Sequence, residues 1–173
     1  MKKVFILLVL FTGILSHGIS EAVQTKLVVR AKSKDAKFLG TKMGGARVVV
    51  TDSETGKVLA DGLTVGGTGD TQKIMIEPRT RFGEIAEGAA KFETSIDIDE
   101  PTLITINVEG PYMHKDNMIK SSTQIWLIPG RDIVGEGVII EIPGFSVDAA
   151  ASGKAKLVNG EAVIQVQARI VMI

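Results

Sequence analysis

From Lys26 onward, apolar residues fall at every second position or in short runs, with no sustained 3.6-residue helical period. KLVVRA (26–31), ARVVVTD (46–52), AKFETSIDI (90–98), LITINV (103–108) and TQIWLI (123–128) are β-type runs bounded by turn residues. Val138–Ile142 and Phe145–Val147 flank Pro143-Gly144. In AKFETSIDI, Phe92, Ile96 and Ile98 fall on one side, while Trp126 sits in an apolar run that reads as core. Many short strands with frequent turns close as two packed layers or a barrel. The expectation is an all-β fold, a single antiparallel β-sandwich of about seven to nine strands.

The sharpest local signal is Asn159-Gly160. Both residues tolerate the positive φ of a two-residue hairpin turn. Pairing outward sets Val158 opposite Glu161, Leu157 opposite Ala162, Lys156 opposite Val163 and Ala155 opposite Ile164. The alternation continues to Ile170, which predicts Ile164, Val166, Ala168 and Ile170 in the core. Asp52-Ser53-Glu54-Thr55-Gly56 reads as a second turn. Gly62–Thr71 reads as a loop or bulged edge, Gln72–Ile76 as a short strand, and Gly83–Glu87 as one helical turn.

The first residues read as an address rather than as structure. Lys2 and Lys3 precede a charge-free apolar run, Val4–Leu15, and Ser20-Glu21-Ala22 places small residues at −3 and −1 of a cleavage site. The run is shorter than the ~20 residues a membrane-spanning helix needs. Residues 1–22 are therefore expected to be a cleaved secretory signal, and 23–173 a single domain that is periplasmic or secreted, without a membrane span. Of the 20 basic and 20 acidic residues, removing Lys2, Lys3 and Glu21 leaves 18 and 19. That balance gives no global attraction to nucleic acid. The chain has no cysteine, which removes disulfides, thiolate metal sites, cysteine nucleophiles and a lipid-anchor acceptor together. Of two histidines, His17 lies in the signal and only His114 remains.

Residues 45–64, GARVVVTDSETGKVLADGLT, resemble the core of transthyretin-like and carboxypeptidase-regulatory-like β-sandwich modules. The matching positions are Ala46, Val48, Val50, Asp52, Thr55, Gly56 and Leu59. The pattern departs after Thr64, where Val65-Gly66-Gly67-Thr68-Gly69-Asp70-Thr71 replaces the expected strand. The resemblance implies an immunoglobulin-like or transthyretin-like shape, and an accessory or binding role rather than catalysis.

Three segments carry residues suited to binding. Gly66, Gly67, Thr68, Gly69, Asp70 and Thr71 form a glycine-rich loop able to hold a ligand, although the lysine and helix of a phosphate loop are missing. Met113, His114 and Met118 offer thioether and imidazole groups that suit copper. Asp97 and Asp99, at a strand end, suit calcium. Hydrolysis through a serine needs a histidine base, for which His114 is the single candidate, and no G-x-S-x-G elbow is present. No cofactor is expected, and the chain is read as non-catalytic.

Charge is uneven along the sequence. Lys26, Arg30, Lys32, Lys34, Lys37 and Lys42 fall close together, as do Glu84, Glu87, Glu93, Asp97, Asp99 and Glu100. Two solvated faces are one reading, and a dipolar module that docks a charged partner is the other. The expected function is an exported envelope or periplasmic module acting through contacts with another envelope protein or with its own copy, and not with nucleic acid. The alternative is a small-ligand or metal-binding protein using the glycine-rich loop or the Met113–Met118 segment.

Overall fold

The computed structural model describes residues 21–173, so the expected signal lies almost wholly outside the described residues. Ten strands follow: β1 (Val23–Ser33), β2 (Arg47–Asp52), β3 (Val58–Leu63), β4 (Val65–Thr68), β5 (Ala89–Ile98), β6 (Thr102–Gly110), β7 (Ile119–Leu127), β8 (Ile133–Ile142), β9 (Phe145–Ser152) and β10 (Gln165–Met172). They form two four-stranded sheets, β4-β5-β1-β8 and β3-β2-β6-β7, and a separate two-stranded ribbon, β10-β9. The all-β class holds.

The two larger sheets share one core. Leu27, Val29, Ala31, Ile96, Ile98, Ile140 and Ile142 come from the first sheet, and Val48, Val50, Ile104, Ile106, Val108 and Leu127 from the second. Each set recurs at every second position, as a strand buried on one face requires. The same alternation corrects the reading of Trp126. Leu127 points inward, so Trp126 points out and is 57% exposed.

Not every pair is antiparallel. β1 pairs β8 in parallel, with a register shift between Leu27↔Ile133 and Val29↔Val138. The extra β8 residues include Gly135 and Gly137, both at positive φ, where glycine is accommodated without a Cβ clash. The bulge turns two carbonyls toward Arg30 of β1. Arg30 Nε donates to the Glu136 carbonyl at 3.1 Å and Nη2 to that of Gly135 at 3.2 Å, while Nη1 donates to those of Ala89 and Ala90. Burial lowers the Arg30 pKa, and Glu136 and Glu93 oppose that shift. The Glu136 carboxylate turns the other way and accepts from the backbone of Ile85 (2.8 Å) and Ala86 (2.7 Å).

The Asp52 turn forms as read. Glu54 N and Thr55 N donate to Asp52 Oδ1 at 2.8 and 2.9 Å, and Gly56 has φ 71°. Ala46, Val48 and Val50 are fully buried, and β3 is a sheet edge. Two local readings are corrected. Gln72–Ile76 is a single wide helical turn, because Asp70 Oδ1 accepts from Gln72 N (2.7 Å) and Lys73 N (3.2 Å) and so caps it. Gly83–Glu87 is not helical.

The C-terminal hairpin is the largest departure. Asn159 and Gly160 take φ 52° and 85°, and Val158 and Glu161 exchange both backbone hydrogen bonds, at 2.8 and 3.1 Å. The ladder then stops rather than running to Ala155–Ile164. It resumes as Gln165↔Ser152 and continues to Met172↔Phe145. Ile164, Val166, Ala168 and Ile170 are exposed, not core. Alternation fixes which residues share a face, but not whether that face meets the rest of the chain.

Candidate functional site

Residues directly opposite in an antiparallel ladder project from the same face. The β9–β10 register therefore sorts the ribbon into two faces. One carries the pairs Phe145–Met172, Val147–Ile170, Ala149–Ala168 and Ala151–Val166. Every residue on it is apolar and exposed; its five large side chains are between 56% and 65% exposed. The other face includes Ser146, Asp148, Gln165, Gln167 and Arg169, with Asp148 opposite Arg169.

The ribbon meets the body only at its root, on the polar side, while Asp148, Gln165, Gln167 and Arg169 on that side are exposed. Ser146 is buried and its Oγ donates to the Asn117 carbonyl at 3.0 Å. Ile173 N donates to the Gly144 carbonyl at 3.0 Å, and the Ile173 side chain packs on the core. The root is thus fixed while the apolar face looks into solvent. Contiguous exposed apolar surface of this kind marks contact sites. Leu157, Val158, Val163 and Ile164 at the tip are exposed as well.

A cleft of about 210 Å³ lies where the polar face meets the body, lined by Met113, His114, Lys115, Asn117, Ser146, Asp148, Arg169 and Val171. It is smaller than the ~300–1,000 Å³ of usual small-molecule sites. Met113 and His114 are brought together here, and Met118 lies outside its wall. The cleft also gathers a serine, a histidine and an aspartate, which the linear sequence did not indicate because the seating of β9 on the 115–117 turn brings them there. They do not form a nucleophilic relay. The Ser146 hydroxyl donates to a backbone carbonyl, and among the described residues no hydrogen bond joins His114 to Ser146 or Asp148. An activated serine needs that bond to its base.

The glycine-rich segment is a bulged edge rather than an open loop. Val65–Thr68 forms β4 against β5, with a register shift at Gly67/Thr68. Its polar groups are used internally. Gly66 N donates to Thr41 Oγ1 (2.9 Å), Phe38 N to the Thr68 carbonyl (3.2 Å) and Lys37 Nζ to Thr71 Oγ1 (3.1 Å). Asp70 caps the following turn. Gly69 has φ 80°, a conformation that side chains with a Cβ rarely adopt. Asp97 is exposed on the outer side of β5 and Asp99 lies in the bend beyond it. Among the described residues no three of His, Asp and Glu gather as a cation site.

The two charge runs meet where β1 and β5 pair. β1 and β5 are adjacent, with Lys26 opposite Ser95 and Val28 opposite Glu93. Glu93 bonds Lys91, and this contact, helped by the charges of Lys26 and Arg30, holds its carboxyl below the usual range. Arg30 and Lys32 are buried. Lys26 and Arg30 of one run and Glu93 and Asp97 of the other lie on adjacent strands.

Among the described residues no helix is long and apolar enough to cross a membrane. Compared with protein-family models, curated proteins and solved structures, the chain matches none, so its geometry carries the functional reading.

Proposed function

We propose that this chain is an exported, non-catalytic envelope or periplasmic module that acts through protein–protein contacts made by the β9–β10 ribbon. The observation that carries the reading is the apolar ribbon face, uncharged along its whole length and turned to solvent on a root fixed by Ser146 and Ile173. Isolated two-stranded ribbons are marginal in water, so a third layer over that face stabilises it. Export fits the same picture, since β1 begins at Val23, directly after the expected cleavage point.

Affinity capture from extracts of the exporting cell tests the contact role. Wild-type protein and a polar-face variant, Gln167→Glu, retain the same partner, whether another protein or the chain itself. The double variant Val147→Glu/Ile170→Glu loses it. Capture that is indifferent to the apolar-face change would overturn the reading. Export is checked separately by the N-terminus of the recovered protein. It begins at Val23 if the signal is cleaved, and an intact Met1 on protein held inside the cell refutes that part.

A further inference from the structure

We infer that the partner of the apolar ribbon face is a second copy of this chain, packed ribbon on ribbon about a two-fold axis; this rests on the contact reading above. The area supports it. At about 25 cal/mol per Å², the known burial energies of large apolar side chains correspond to roughly 60–120 Å² each. The arm holds nine such side chains, five on the ribbon face and four at the tip, exposed by 56–88%. Together they offer on the order of 500 Å² of apolar surface. A standard interface takes about 800 Å² per partner, somewhat over half of it apolar. The five side chains of the ribbon face supply about half of the apolar requirement of one side of a stable dimer, and the tip side chains add to it where two arms overlap.

Chemistry and shape point the same way. A face without a charge or a side-chain hydrogen-bonding group offers nothing with which to select a polar partner. An identical face is complementary to it, and a two-fold contact pairs each surface with itself. Side-chain size varies along the ribbon. Phe145–Met172 and Val147–Ile170 lie at the root, and Ala149–Ala168 in the middle. Two ribbons packed antiparallel place each bulky root against the other's tip and bring the alanines together at the axis. There the small side chains let the layers close to about 10 Å. The product is a four-stranded, two-layer unit with its own core, which the single ribbon lacks.

Sedimentation equilibrium on the purified protein tests this. Wild type behaves as a dimer at micromolar concentration, and Val147→Glu/Ile170→Glu as a monomer with unchanged far-UV circular dichroism. A wild type that stays monomeric refutes the inference. Because the chain has no cysteine, single cysteines report the interface without relying on a disruptive variant. Ala149→Cys, near the axis, cross-links between copies with a short bifunctional thiol reagent, and Gln167→Cys, on the polar face, does not. Equal cross-linking at both positions indicates pairing by strand edge or random encounter and overturns the two-fold ribbon contact. A monomeric protein that still captures another protein through the apolar face defeats this inference and leaves the contact role standing.

Discussion

Val147 and Ile170 stand directly opposite each other on the solvent side of the β9–β10 ribbon, 56% and 65% exposed. A β-branched pair placed in this way usually anchors a hairpin to a core. Here both side chains stand on the face away from the Ser146 anchor and are turned to solvent.

That placement separates association from folding. In the isolated monomer, Val147→Thr or Ile170→Thr removes no buried contact, so each changes unfolding free energy by at most ~0.5 kcal/mol. Ile106→Ala, in the shared core, costs about 3 kcal/mol. Urea unfolding at dilution below any association checks both. In the same monomer, amides of β9 and β10 exchange with solvent well before those of β1 and β6, because a two-stranded ribbon opens without disturbing the core.

Much of the fold was readable from alternation. Val48 and Val50, or Ile104, Ile106 and Val108, announce both strand and buried side, because both their spacing and their neighbours agree. The C-terminal ribbon announces its strand but not its surroundings. Val166, Ala168 and Ile170 alternate as a half-buried strand does, and only the three-dimensional path beyond Pro143-Gly144 decides that their side is uncovered. Asn159-Gly160 gave the turn correctly, yet a turn fixes register only while the ladder is continuous. The ladder breaks across 153–157 and 162–164, so the register at Gln165↔Ser152 had no local signal. Arg30 was hidden for a related reason. Its acceptors lie far away in sequence, on β5 and in the β8 bulge.

Thr64, between β3 and β4, ties down both ends of the segment that leads into β2. It is buried, its Oγ1 accepts from Ala46 N at 2.8 Å, and it donates to the Leu39 carbonyl at 3.3 Å. Thr64→Val keeps the shape and leaves both buried backbone groups without this partner, at a cost of about 2 kcal/mol. Thr64→Ser keeps the hydroxyl and recovers more than half of that in a urea midpoint.

Arg30 serves as a multi-pronged donor at a glycine bulge. Arg30→Met fills a similar volume but leaves the carbonyls of Ala89, Ala90, Gly135 and Glu136 without this donor, destabilising by about 2–4 kcal/mol. Arg30→Lys restores the charge but not the planar fork that reaches several acceptors at once, so it recovers less than half of the loss. The midpoint of denaturant unfolding by circular dichroism ranks wild type above Lys and Lys above Met.

The Asp52 turn carries a pH dependence whose sign follows from its hydrogen bonds. Backbone donation from Thr55 and then Glu54 holds the Asp52 carboxyl below its ordinary value. A carboxyl depressed in the folded state binds its proton more weakly there than in the unfolded chain, so it stabilises the fold at pH values above the unfolded pKa of about 3.9. That contribution is lost as pH falls through the lower folded value. Solvent reaches the side chain, so the effect is local to the turn. The amides of Glu54 and Thr55, followed by NMR, keep their bonded chemical shifts above about pH 5 and move together as the pH drops below about 4. Asp52→Asn retains an oxygen acceptor but has no proton to bind, so its two amides stay still across the same range. Amide shifts in the variant that track those of wild type would place the titration on another group.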